Sequence, residues 1–129
     1  MKKNILVVDD SPEITTTIKI LLEEETNDYK VIIVESGEEC LKLLNKSFIP
    51  DAILLDIMLP GIDGFETYEH IRKNDKWSRV PVLFLTARTD NFTVEQGRFL
   101  GDDLIEKPFE IDDVILRIEQ AIEKLKEQV

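Results

Sequence analysis

The chain has 129 residues, 43% hydrophobic and 33% charged, a length that suits one globular domain over residues 1–129 and excludes a scaffold dependent on disulfide or metal staples. Sixteen Lys and Arg against 27 Asp and Glu leave a net charge of −11. That sign argues against direct nucleic-acid binding and against adsorption to anionic membranes, and favours cationic partners and divalent ions. The single Cys40 can form no internal disulfide and no zinc-binding cysteine cluster, and no apolar run approaches a membrane span, so cytoplasmic residence is the expectation.

Short β-branched apolar runs alternate with longer stretches of helical periodicity, the pattern of a parallel α/β sheet covered by helices. The first run, Ile5 to Val8, is apolar on both faces and stops at Asp9 and Asp10. Ser11 as N-cap and Pro12 in the first turn open a helix whose Ile14, Ile18, Leu21 and Leu22 share one face. Val31 to Val34 is the second strand, and Ser36-Gly37-Glu38-Glu39 reads as a capping box for a helix carrying Cys40, Leu41, Leu43 and Leu44. Ala52 to Leu55 is the third strand, ending at Asp56. A turn at Leu59-Pro60-Gly61 follows, and Asp63 caps a helix with Phe65, Tyr68 and Ile71 inward. Val82 to Leu85 ends at Thr86, and a helix from about Asn91 to Leu100 is expected to place Phe92 and Phe99 in the core. Leu104 to Glu106 forms a short fifth strand before Lys107-Pro108-Phe109, and Ile111, Val114, Ile115, Ile118, Ile122 and Leu125 mark a closing amphipathic helix.

In an open parallel sheet, polar residues just past the carboxyl ends of the strands collect at one edge, where ligands bind. Asp9, Asp10, Asp56, Thr86 and Lys107 all fall there, so they are expected to converge. Three carboxylates repel one another, and one divalent cation together with the lysine would neutralise them. Hard oxygen ligands with room for water or phosphate suit Mg²⁺, with Mn²⁺ as a substitute. An Asp carboxylate is also a competent nucleophile toward phosphorus, and cations and a hydroxyl around it can neutralise the transferred group.

ILVVDDSPEI, DAILLDIMLPGIDGFE, VPVLFLTA and LIEKPF, four pieces in order and each at a strand end, together resemble the receiver domain of two-component response regulators across essentially the whole chain. The resemblance implies a flavodoxin-like, doubly wound (βα)5 three-layer sandwich with parallel sheet order 2-1-3-4-5. It also implies that Asp56 is the phosphoacceptor, that Asp10 ligates Mg²⁺ directly and Asp9 mainly through metal-bound water, and that the Met58 backbone carbonyl completes the protein ligands. Thr86 would be the switch hydroxyl, Lys107 the cation pairing with the phosphoryl group, and Lys107-Pro108 a cis bond. The implied donor is a phosphohistidine on a sensor histidine kinase or a histidine phosphotransfer protein, and the implied output is altered partner binding, with no enzymatic turnover of a separate substrate.

Two departures stand out. Leu104 occupies a position where the family commonly has an aromatic residue, and the segment between Thr86 and Lys107 is one residue shorter than usual, which predicts an irregular fourth helix. Met58 and Arg88 flank the pocket where side chains would tune the lifetime of the aspartyl phosphate. The ordinary readings are kept for the other polar and aromatic residues: His70 and the face carrying Glu119, Glu123 and Glu127 are solvated, Cys40 is a small buried hydrophobe, and Trp77 is partly packed.

Three rival functions are weighed. A nucleotide- or flavin-binding module needs a phosphate-cradling loop after the first strand, where this chain has Asp9-Asp10-Ser11-Pro12. A small-molecule phosphatase with an aspartate nucleophile would carry an Asp-x-Asp motif there. A phosphorylation-independent pseudo-receiver acting as a protein-interaction module would keep the fold without the chemistry, and is the main alternative.

Overall fold

The computed structural model describes residues 2–87 and 91–127. Strands and helices alternate: β1 (Lys3–Val8), α1 (Pro12–Glu25), β2 (Tyr29–Val34), α2 (Gly37–Asn45), β3 (Ala52–Asp56), α3 (Gly64–Lys73), β4 (Val82–Thr86), α4 (Asn91–Leu100), β5 (Asp103–Glu106) and α5 (Ile111–Glu127). All strand pairs are parallel and the sheet order is β2-β1-β3-β4-β5, the order that the family resemblance implies. β1 and β2 begin earlier than their apolar runs because backbone pairing extends past them, Lys3 opposite Tyr29 and Asn4 opposite Lys30.

Successive strand residues point to opposite faces, and here both faces are buried. Ile5, Val7, Ala52, Leu54, Leu83, Leu85 and Ile105 meet Ile18 and Leu22 of α1 and Val114, Ile118 and Ile122 of α5. Leu6, Val8, Ile53, Leu55, Val82, Phe84 and Leu104 meet Cys40 and Leu44 of α2, Ile71 of α3, and Val94 and Leu100 of α4. Two cores thus grip one sheet, and the sheet's carboxyl edge is held rigidly from both sides. Phe84 anchors the second core, with the Phe65 ring edge-on at 5.3 Å and the Tyr68 ring at 5.4 Å.

The helix starts follow their local chemistry. Ser36 Oγ accepts from Glu39 N–H at 3.1 Å, and the Glu39 carboxylate returns to Glu35 N–H at 3.0 Å, one residue before the usual capping-box partner. Asp63 Oδ1 accepts from Glu66 N–H at 2.9 Å. Ser11 occupies the N-cap of α1 but its side chain makes no capping bond; its N–H instead donates to Asp9 Oδ1 at 2.9 Å.

α4 corrects two expectations. It runs as a regular helix from Asn91 to Leu100 despite the short connection. Phe92 and Phe99, expected in the core, are 74% and 87% exposed. The inward face instead carries buried Thr93 and Gly97 with Val94 and Leu100 beside them, and a Cβ on Gly97 would stand 2.9 Å from Leu104 Cδ1. The missing side chain lets the helix close onto β5 through its small residues, which turns both phenylalanines outward. Leu104 itself is fully packed beneath it.

Trp77 is buried more deeply than partial packing implied. Glu119 is exposed but not merely solvated, since the buried Tyr29 hydroxyl donates to its Oε1 at 3.0 Å. Burial and that carboxylate push the Tyr29 hydroxyl pKa well above its usual value. Cys40 is buried, and burial pushes its thiol up to about 12, which keeps it protonated and inert. His70 is exposed.

Candidate functional site

Four of the five strands, β1, β3, β4 and β5, deliver polar side chains to the carboxyl edge. Asp56 is the last residue of β3 and Thr86 the last of β4, while Asp9 and Lys107 stand one residue past β1 and β5. The loops that aim them are pinned by backbone bonds. Asp9 N–H donates to Val34 O at 3.2 Å, Ile57 N–H to Leu85 O at 3.0 Å, and Lys107 N–H to Thr86 O at 2.8 Å. The Lys107-Pro108 bond is cis.

The carboxylates of Asp9, Asp10 and Asp56 bring ligand oxygens within 4.8 Å of one another. Asp9 and Asp56 are buried, at 1% and 5% exposure, while Asp10 faces solvent. Lys107 Nζ bridges the two buried carboxylates, at 2.7 Å from Asp9 Oδ2 and 3.3 Å from Asp56 Oδ2. Asp9 Oδ1 is taken by Ser11 N–H, and Asp56 Oδ1 accepts from Met58 N–H at 3.1 Å. Thr86 is fully buried and Met58 half exposed. Arg88 lies outside the described residues.

One lysine against three carboxylates leaves the pocket short of positive charge. Burial, then the neighbouring Asp9 carboxylate, push the Asp56 carboxyl from an ordinary 3.8 up to about 6; Lys107 and the Met58 N–H pull the other way. The donor set fits a hard divalent cation: clustered carboxylate oxygens, one of them solvent-facing, with charge left to neutralise.

Gly64, which the sequence analysis did not single out, belongs to the site. A Cβ there would stand 2.4 Å from Asp56 O and 2.6 Å from Ile57 Cα, and Gly64 N–H donates to Ile57 O at 2.8 Å. The start of α3 is thereby pressed against the backbone that carries Asp56. The signal in the sequence was a glycine at a first helical position, where its poor helix propensity makes it unusual.

Five convergent polar groups at the carboxyl edge of a doubly wound sheet, built around a buried carboxylate in an acidic pocket, define a phosphoacceptor type of signalling domain. Residues 5–119 match the response regulator receiver domain family, and the chain belongs to that family. It is 41% identical over 121 residues to the transcriptional regulatory protein YrkP of Bacillus subtilis, covering 92% of this chain and 48% of that protein. It is 38% identical over 125 residues to the alkaline phosphatase synthesis transcriptional regulatory protein PhoP of Bacillus subtilis, covering 96% of this chain and 50% of that one. The chain therefore spans about half the length of these curated relatives. Among solved structures, the Francisella response regulator 1452 receiver domain superposes with a TM-score of 0.81 at 30% identity, covering 95% of this chain and 98% of that one. The protein is a receiver domain of two-component signalling. No helix among the described residues is long and apolar enough to cross a membrane.

Proposed function

We propose that Asp56 is the phosphoacceptor of this domain, taking its phosphoryl group from a phosphohistidine on a sensor histidine kinase or a histidine phosphotransfer protein. The observation that carries this reading is the buried Asp56 carboxylate between Asp9 and Lys107, its pKa raised first by burial and then by the neighbouring Asp9 carboxylate. In the transfer, an Asp56 carboxylate oxygen forms the new O–P bond as the P–N bond of phosphohistidine breaks, and the imidazole leaves with the electron pair and takes up a proton. Asp9, Asp10 and Asp56, with the Met58 backbone carbonyl, would hold Mg²⁺, and Mn²⁺ in its place. Bound there, the ion supplies positive charge against the phosphoryl oxygens.

The protein's own groups do the rest. Met58 N–H orients Asp56 through Oδ1. Lys107 sits within reach of Asp56 Oδ2 while anchored on Asp9, so it is poised to pair with a group attached at Asp56. Thr86, buried at the adjacent strand end, is the hydroxyl that binds the phosphoryl group and couples it to the fold. The same groups assist loss of the phosphoryl group to water. Residues 1–129 act as one receiver unit in the cytoplasm, changing affinity for a protein partner and making no direct contact with nucleic acid or membrane.

Intact-mass spectrometry after incubation with a small phosphodonor, with and without Mg²⁺, tests this on the parent chain and on Asp56→Asn. One phosphoryl adduct that needs both Mg²⁺ and Asp56 is the expected result. No adduct from the small donor or from a phosphohistidine protein overturns the reading and leaves a phosphorylation-independent interaction module.

A further inference from the structure

We propose that the recess at the amino edge of β4 and β5, at the opposite end of the sheet from Asp56, is a binding site for a small phosphate dianion. It lies where the α3–β4 connection meets the last turns of α5, and its cavity of about 220 Å³ is lined by Tyr68, Arg72, Ser78, Arg79, Asp102 and Lys124 among others. That is smaller than the roughly 300–1,000 Å³ of sites for drug-sized ligands, and suits inorganic phosphate or a short phosphomonoester.

The charges sort into a fixed frame and an unmatched pair. Arg72 is clamped: Nη1 donates to Val80 O at 2.7 Å, Nη2 to Asp102 Oδ2 at 2.9 Å, Nε to the Tyr68 hydroxyl at 3.2 Å, and the guanidinium lies 4.8 Å from the Tyr68 ring centroid. The same Asp102 oxygen also accepts from Val82 N–H at 2.7 Å, so the one carboxylate of the recess is spent on Arg72 and the backbone. Tyr68 is tied in turn to Leu100 O. Arg79 and Lys124 are both exposed, and among the described residues neither is in an ion pair or hydrogen bond. The Ser78 hydroxyl beside them already donates to Asp75 O at 3.4 Å, so the cavity presents two uncommitted cations on a rigid arginine floor.

In a chain of net charge −11, most of the surface repels anions, and this recess does not. A doubly charged phosphate would answer both free cations, whereas a monovalent carboxylate would satisfy one. Five residues of β4 at about 3.3 Å each put the recess roughly 15 Å from the Asp56 edge. A ligand here would thus be separate from the acidic pocket and independent of Mg²⁺.

The test is an amide chemical-shift titration of the ¹⁵N-labelled full chain with inorganic phosphate, in chelator, at constant ionic strength, alongside Arg79→Ala/Lys124→Ala and Asp56→Asn. Saturable shifts centred on Ser78, Arg79 and Lys124 are expected. They should weaken at least ~tenfold in the double variant, as loss of two charge-assisted bonds implies, and be unaltered by Asp56→Asn. Both substituted cations are exposed, and an unchanged thermal midpoint would show the double variant intact. Shifts that stay linear, that sodium chloride reproduces, or that are identical in the double variant overturn the proposal. A second arm compares O-phosphoserine with a phosphoserine peptide: tighter peptide binding identifies the phosphate as one carried by a protein side chain, and equal binding identifies a free phosphate.

Discussion

Replacing Asp56 by Asn is expected to stabilise the metal-free protein. Asp56 holds its proton more tightly in the folded chain, near 6, than an ordinary carboxyl near 3.8, because it is buried and stands beside Asp9. Proton binding to it therefore favours the folded state fully below about pH 3.8, and that contribution is lost as pH rises through 6. Above it, the ionised group costs up to ~3 kcal/mol by the difference between those values, and solvent at the Asp10 side of the pocket screens this to ~1–3 kcal/mol. Asn removes the charge and keeps an oxygen for the Met58 N–H, while Lys107 keeps Asp9 at 2.7 Å. At roughly 4 °C per kcal/mol for a chain of this size, the thermal midpoint near neutral pH should rise by ~4–12 °C. Urea unfolding in chelator measures it directly, and the gain should shrink as pH falls through 6 toward 3.8. Excess Mg²⁺ should narrow the gap as well, by binding the parent more tightly than the variant. A destabilised Asp56→Asn, or a gain that is the same at every pH, would refute the electrostatic account of the pocket.

Gly64→Ala should cost ~1–3 kcal/mol in urea unfolding, because its Cβ would meet the Asp56 and Ile57 backbone, which has no side-chain freedom to yield. The same variant should slow adduct formation in the phosphodonor assay by displacing Asp56. Lys107→Ala should lower stability near neutral pH by ~2–4 kcal/mol, since it leaves buried Asp9 without its cation, and added Mg²⁺ should restore part of the loss. Ser36→Ala should cost ~1 kcal/mol through the lost cap of α2 and leave phosphoryl acceptance unchanged, as read by chemical denaturation and intact mass.

Much of this site is legible in the chain because a parallel α/β sheet maps sequence position onto space. A buried strand such as Ile53 to Leu55 must end where polarity resumes, so Asp56 falls at the carboxyl edge without knowledge of any contact, and so do Asp9, Thr86 and Lys107. The helix starts were readable for a similar reason: Ser36 with Glu39, and Asp63, act within a single turn.

What needed the tertiary structure was everything decided between elements. Hydrophobicity alone sends Phe92 and Phe99 inward, yet the close seat of Gly97 on Leu104 selects the opposite face of α4. Glu119 looks solvated until Tyr29, 90 residues away in sequence, donates to it. Lys107 is visible as a cation, but its closer pairing with Asp9 than with Asp56, and the resulting shortage of positive charge around Asp56, depend on distances that only packing sets. The cationic recess is the same case: Arg72, Arg79, Asp102 and Lys124 are scattered along the chain, and which of them are already paired is a property of the folded amino edge. Strand ends and caps are governed by short-range chemistry that sequence carries directly, whereas helix facing and charge balance are set by contacts between segments far apart in the chain.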